Sequence, residues 1–242
     1  MEKTLQPAAD DRLGPRGSLP RPWDAFDAYL FDVDGTLLNC KDAVHYFAFC
    51  EALKALSGRE LNLDGVTAHG NTDAGILRDA LVLAGIPDSE WRPRVQKACN
   101  SMASYVESNR HNVCSQALPA TSEVLQHLRA RKAVLGVATG NLSSIGRIKL
   151  ESCDLLRHFD FFAFSDGLEW RTDVYARALE KARDLAGPDA AICAVGDTPA
   201  DIRAARHHGT SVIAVATGIH SREQLSAEQP DLCLLSLAEL LQ

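Results

Sequence analysis

Six short apolar runs constrain this chain more than anything else in it. They lie at residues 28–31, 134–138, 159–164, 192–195, 212–216 and, more weakly, 232–235. Each is mostly apolar, without polar–apolar alternation, as expected of strands covered by helices on both faces. Helical signals separate them. One spans 120–131, with Val124, Leu125 and Leu128 on one face, and another 174–186, with Leu179, Ala182 and Leu185, stopped by Gly187-Pro188. A third opens at Thr198-Pro199, with threonine as cap and proline at the first helical position. Strand and helix alternating over short connections predict an α/β fold with a doubly wound, Rossmann-like parallel sheet.

Two segments depart from that alternation. Residues 39–117 read as helix after helix, at 42–57, 72–84 and 89–108, with Ile76, Leu77, Ala80, Leu81 and Ala84 patterning the middle one. No strand pattern stands out there, so a small all-helical cap is expected between the first and second core strands. The core is then 23–38 together with 118–242. Residues 1–22 hold Pro7, Pro15, Pro20 and Pro22 with Gly14 and Gly17, among charges and isolated leucines. Such a stretch buries too little apolar surface to offset its ordering entropy and is expected to be a disordered tail.

Composition narrows the partners. Among 242 residues, 25 Lys+Arg face 32 Asp+Glu, a net charge of −7. That balance argues against nucleic acid or an anionic bilayer as a partner. No run approaches the roughly 18 apolar residues of a membrane span. A small anionic ligand held by a local site remains compatible. The seven cysteines are scattered without a CxxC pair, which fits small buried side chains in a reducing compartment better than a zinc site or a disulfide scaffold. No apolar segment of a secretory signal follows Lys3, and a cytoplasmic location is expected.

Ligands of open α/β sheets bind beyond the carboxyl ends of the strands. Asp32-Val33-Asp34-Gly35-Thr36-Leu37 follows the first run and Thr139-Gly140-Asn141 the second. Ser165-Asp166-Gly167 follows the third, with Arg171-Thr172-Asp173 just beyond, and Gly196-Asp197-Thr198-Pro199-Ala200-Asp201 ends the fourth. Residues two apart on a strand share a face, so Asp32 and Asp34 would converge or, on leaving the strand, splay around one substrate atom. Carboxylates that close need a cation, and oxygen donors of this kind suit Mg²⁺, with Asp197 as a third. Gly35 permits a tight turn, and Thr36 offers a hydroxyl and an N–H to an anionic oxygen. Taken singly, each residue has a plainer account. Thr139 can cap the next helix, Asp201 can complete a capping box with Thr198, and Arg171 can be a solvated charge. A calcium loop is disfavoured because the twelfth position from Asp32 is Ala43.

Together these residues resemble the haloacid dehalogenase (HAD) superfamily of hydrolases, especially its phosphoglycolate-phosphatase-like members with a helical cap. Asp32-Val-Asp-Gly-Thr-Leu is similar to the family's first motif, Thr139-Gly-Asn to its second and Gly196-Asp-Thr-Pro-Ala-Asp201 to its fourth. Thr217-Gly218 and Ser221-Arg-Glu-Gln-Leu225 resemble the usual end of such phosphatases, and His69-Gly-Asn-Thr-Asp73 a loop of their caps. The third motif is normally a lysine. Here the register offers Arg171, which keeps the charge and can grip phosphate with two donors, with Lys149 as the alternative.

The resemblance implies a Mg²⁺-dependent phosphatase acting on a small phosphorylated metabolite through an aspartyl-phosphate. Asp32 would be the nucleophile and Asp34 the acid and base. Mg²⁺ would be held by the Asp32 carboxylate, the Asp34 carbonyl and Asp197, with Asp201 behind them. Thr139, Gly140 and Arg171 would cradle the phosphoryl oxygens. From the cap, His45, His69, Asn71, Thr72 and Arg78 would face the leaving group. Dehalogenase members carry no acid at the position of Asp34, so a sugar phosphomutase is the nearer alternative; a retired, binding-only fold is the more distant one.

Overall fold

The computed structural model describes residues 16–242. Residues 1–15, most of the stretch read as a tail, lie outside the described residues. In chain order the strands are β1 (Arg16–Gly17), β2 (Ala28–Phe31), β3 (Leu38–Cys40), β4 (Ser115–Ala117), β5 (Val134–Ala138), β6 (Phe161–Ala163), β7 (Ile192–Gly196), β8 (Ser211–Val215) and β9 (Leu232–Leu234). The α-helices are α1 (Val44–Ser57), α2 (Asp73–Leu83), α3 (Asp88–Trp91), α4 (Val95–Ser108), α5 (Thr121–Ala130), α6 (Ser143–Ser152), α7 (Arg171–Ala186), α8 (Pro199–His207) and α9 (Arg222–Ala227).

Seven strands form one sheet in the order β1-β9-β8-β7-β2-β5-β6. All neighbours are parallel except β1, which pairs antiparallel with β9. The fold is the doubly wound α/β sheet that the six apolar runs imply. Their lack of alternation has a simple cause. Tyr29 and Phe31 pack on one face of the sheet with Val124, Leu125 and Leu128 of α5. Ala28 and Leu30 pack on the other with Val174, Ala178 and Leu179 of α7. Successive side chains thus enter two different cores, and both must be apolar.

The chain leaves β2 toward β5 and β6, then returns to the opposite side of β2 as β7 and continues to β8 and β9. Connections therefore diverge on either side of β2, which opens a crevice at the carboxyl ends of β2 and β7.

Four features differ from the sequence expectation. Within the presumed tail, Arg16 and Gly17 pair with Cys233 and Leu232, because a sheet edge accepts backbone partners whatever their side chains. The helical insertion is entered and left through an antiparallel ribbon, β3 against β4, in the register Leu38↔Ala117 to Cys40↔Ser115. The helix expected at 89–108 is α3, a 3₁₀ turn at Arg92–Arg94, and α4. Pro93 has no N–H for the helical ladder and breaks it. Finally, α7 begins at Arg171 rather than at 174, which makes that arginine its first residue.

The insertion helices share one apolar cluster, which includes Phe49, Leu53, Leu77, Trp91 and Met102 and also Leu142, Ile145 and Ile148 at the front of α6. No helix among the described residues is long and apolar enough to cross a membrane.

Candidate active site

The Asp32 N–H donates to the Val195 carbonyl at 3.0 Å, so the chain leaving β2 is still bonded to β7. It turns at Gly35, whose φ is +84° and whose N–H donates to the Leu38 carbonyl at 2.8 Å. A Cβ at Gly35 would lie 2.3 Å from Asp197 Oδ2, and one at Gly218 only 1.8 Å from the same atom. Two glycines thus make the slot that Asp197 fills. Thr36 Oγ1 donates to Asp197 Oδ1 at 2.9 Å, and its N–H donates to the Val33 carbonyl at 3.3 Å. Thr36 therefore orients a carboxylate instead of offering its donors to an anion. Thr217 Oγ1 ties the same turn from outside by donating to the Gly35 carbonyl at 2.6 Å.

Asp32, Asp197 and Asp201 are all buried, and they bring carboxylate oxygens within 4.8 Å of one another. Arg171, also buried, is placed against them by the start of α7. Its Nη2 donates to Asp32 Oδ1 at 2.5 Å, and Nε donates to Asp201 Oδ1 at 3.0 Å. Asp201 also accepts from the Tyr175 hydroxyl at 3.1 Å, from Thr198 Oγ1 at 2.6 Å and, in a capping box at the head of α8, from the Thr198 N–H at 3.2 Å. The capping and site roles weighed for Asp201 are thus one geometry.

Three carboxylates gathered beside one guanidinium, which bonds Asp32 and Asp201, leave two negative charges without a cationic partner. Burial pushes the Asp32 carboxyl up to about 7, against the pull of Arg171 and with the help of Asp201. Burial, then the charges of Asp32 and Asp201, hold Asp197 well above the usual carboxylate range. Arg171 is kept protonated: burial disfavours its charge, but Asp201 and Asp32 more than offset that. Hard oxygen donors with two negative charges in excess fit a divalent cation such as Mg²⁺.

The Asp34 side chain takes no part in that cluster. Lys149 Nζ donates to both of its oxygens at 2.9 Å, and Asn141 Nδ2 donates to Oδ2 at 2.7 Å. Burial alone would raise the Asp34 carboxyl, but the Lys149 charge and these hydrogen bonds hold it below its ordinary value. Burial likewise opposes the Lys149 charge, and Asp34 outweighs it, raising the ammonium's pKa. The two cations offered by the sequence therefore occupy different places: Arg171 touches Asp32, and Lys149 touches Asp34.

A cavity of about 430 Å³ joins the two halves. Asp32, Asp34, Thr139, Gly140, Arg171 and Asp197 line it from the sheet side. Thr139 Oγ1 accepts from Asn141 Nδ2 at 2.8 Å. Gly140 has a backbone reason for its identity, since a Cβ there would lie 2.0 Å from the Asn71 carbonyl. From the insertion, His45, Phe49, His69, Asn71 and Ile76 reach the cavity.

Thr72 and Arg78 do not. Thr72 is the buried N-cap of α2, accepting from the Gly75 N–H and donating to the Glu169 carbonyl at 2.9 Å. Arg78 lies on the seam with the core, its guanidinium 3.9 Å over the Trp170 ring and bonded to Asp79 at 2.9 Å. Both belong to the contact between insertion and core. Asn141 and Thr217 were not singled out from the sequence, although both stand inside motifs quoted above. Lys149 carried a signal of its own, a lysine four residues after Ile145 on the buried face of α6.

Residues 29–215 match the family model of haloacid dehalogenase-like hydrolases. The chain belongs to that family, and it is a hydrolase with the family's α/β core. Among curated proteins it is 28% identical to the "Probable phosphatase IndB" of Dickeya dadantii, over 87% of this chain and 90% of that one. It is 26% identical to the pyrophosphatase PpaX of Anoxybacillus flavithermus, over 88% and 94%. Among solved structures it superposes on a hydrolase from Pseudomonas syringae with a TM-score of 0.66 at 21% identity, covering 88% of this chain and 95% of that one. CbbY from Rhodobacter sphaeroides, solved in complex with phosphate, gives 0.64 at 20%, covering 90% and 100%. At those identities the structures speak for the fold alone.

Proposed function

We propose that the protein hydrolyses a small phosphomonoester through an aspartyl-phosphate on Asp32. The observation that carries this is the separation of two carboxylates leaving one strand. Asp32 lies in a cluster short of positive charge, while Asp34 lies across the same cavity in hydrogen bonds of its own. The phosphatase and pyrophosphatase among its relatives support the same class of reaction.

In the first step an Asp32 carboxylate oxygen attacks phosphorus and the bond from phosphorus to the ester oxygen breaks. Lys149 holds Asp34 as a carboxylate in the free protein; the negative charge of the incoming phosphoryl group raises it, so that Asp34 takes up a proton from solvent and passes it to the departing oxygen. In the second, water gives a proton to Asp34 and attacks the phosphorus, and the bond to Asp32 breaks to release inorganic phosphate. Arg171 and Thr139 face the phosphoryl oxygens from the sheet side. The Asp32 and Asp197 carboxylates with the Asp34 carbonyl would hold Mg²⁺, while Asp201 holds Arg171 and Tyr175 in place. When bound, the ion offsets charge on the transferring group and orders it for displacement.

Phosphate release from p-nitrophenyl phosphate, with Mg²⁺ and then with excess EDTA, tests the proposal. Release that EDTA abolishes is expected, and Asp32→Asn should lower it by about four orders of magnitude or more. Turnover that survives either change refutes the mechanism.

A further inference from the structure

We propose that Lys149 is a positioning residue for Asp34, holding its carboxylate on the leaving-group side of the cavity and apart from the cation site around Asp32. The inference rests on the phosphatase reading above, in which Asp34 exchanges a proton with the leaving group.

Lys149 sits where a helix of this pattern would carry an apolar side chain. It follows Ile148 and stands one turn after Ile145, and it is 5% exposed. Burying an ammonium group carries a desolvation cost that pairing repays at best in part, so its presence asks for a reason other than stability. An ammonium has three N–H donors and no acceptor. All three directions are taken: the Asp34 carboxylate at 2.9 Å, Asn141 Oδ1 at 2.8 Å and His45 Nδ1 at 3.2 Å. None is left for a phosphoryl oxygen.

Asn141 closes the arrangement. Its Oδ1 accepts from Lys149 while its Nδ2 donates to Asp34 at 2.7 Å, so the three side chains form a ring that fixes the carboxylate at both oxygens. The insertion supports the ring from behind. Because Lys149 can only donate, His45 Nδ1 must be the acceptor, and the ring proton then lies on Nε2. That nitrogen makes no hydrogen bond but stands 3.3 Å from Asp73 Oδ1, an electrostatic contact with a carboxylate that the Leu142 N–H fixes by donating to its Oδ2 at 2.8 Å.

The reason for such a hold is Asp34's location. It is two residues from Asp32, next to a glycine, and a carboxylate released there is drawn toward Arg171 and any cation bound beside Asp197. Such a shift takes the acid away from the oxygen it serves, and a misplacement of about 1 Å costs about a hundredfold in rate.

The test uses Lys149→Met in the full chain with Mg²⁺, on phenyl, p-nitrophenyl and 2,4-dinitrophenyl phosphates. We expect kcat to fall about a hundredfold on phenyl phosphate, whose leaving group most needs a proton, and less than about tenfold on the dinitrophenyl ester. KM should change little. On the dinitrophenyl ester, adding Lys149→Met to Asp34→Asn should cause no further loss, because the residue being positioned is gone. A uniform fall across the three esters, additivity with Asp34→Asn, a rise in KM alone, or no change would each overturn the proposal.

Should Lys149→Met not fold, His45→Phe removes one acceptor of the Lys149 ammonium and keeps an aromatic ring against Phe49. A smaller loss graded by leaving group in the same way is expected, and a uniform loss or none overturns the proposal. A wild-type protein silent on every ester would defeat the phosphatase reading but not this one. The crystal structure of the variant then decides: Asp34 turned away from Asn141 supports the hold, and Asp34 unmoved overturns it.

Discussion

Asp32 and Asp34 leave the same strand two residues apart and end in opposite electrostatic company. Around Asp32 three buried carboxylates gather beside a single guanidinium, which bonds two of them. Around Asp34 one carboxylate has its own ammonium and its own amide, and an imidazole stands behind them. The first half is built short of positive charge and the second is built complete. A site left unbalanced at the cost of burial is one that a ligand finishes, whereas a balanced site holds a shape. In the proposed reaction, recruitment and alignment are thus divided between two ends of one cavity.

The harshest way to break that contrast is to unbalance the first half further. Arg171→Met should reduce turnover about a hundred- to a thousandfold and destabilise the metal-free protein by about 3–5 kcal/mol, the range for stranding a buried ion-pair partner. Urea titration and phosphate release measure the two. Arg171→Lys should recover part of both, and a Met variant as stable as wild type would mean that the carboxylates do not depend on the guanidinium.

Next comes Gly218→Ala, which places a methyl in the slot of Asp197 Oδ2 without touching the Asp34 half. The Mg²⁺ concentration giving half-maximal turnover should rise by about 10- to 100-fold. An unchanged Mg²⁺ dependence would show that Asp197 is not a ligand.

A gentler probe is pH. The folded Asp32 carboxyl titrates near 7 against an ordinary value of 3.8, and Asp197 is displaced in the same direction. Between those two values the native state binds more protons than the unfolded chain, so the metal-free protein loses stability as pH rises through that window. Mg²⁺ compensates the charged form and should raise the melting temperature more at about pH 8 than at about pH 5. Equal shifts at both would mean that the ion binds elsewhere.

The smallest effect belongs to Arg92, which also joins two acids, Asp88 at 2.9 Å and Glu169 at 2.7 Å. Its guanidinium and Asp88 are exposed and Glu169 is half-buried, and ion pairs open to solvent contribute little. Arg92→Ala should leave the melting temperature unchanged within error, and a large drop would show that number of partners, rather than burial, sets the worth of these arginines.

The sheet was legible because its strands are buried on both sides and therefore lack polar interruptions. The ribbon of β3 and β4 was not, since strands of three residues with exposed Asn39 and Gln116 carry no periodic signal. Asp32, Asp197 and Arg171 could be placed from the strand ends that bear them. The partners of Asp34 were harder to see. Lys149 is 115 residues away along the chain, and its hold depends on a helix register that only packing defines. Thr72 and Arg78 misled for a related reason: both belong to the polar loop and helix that do approach the site, but capping claims the first and an exposed tryptophan the second.

Leu142, Ile145 and Ile148 lie outside the inserted segment, yet their side chains complete its apolar interior. A chimera that exchanged only residues 41–114 for those of a relative would strip these three of their mates and hand the newcomer a foreign floor. Transplanted specificity should therefore travel with α6, and with it the lysine on the same helix. In this fold the portable unit is larger than the loop that topology suggests.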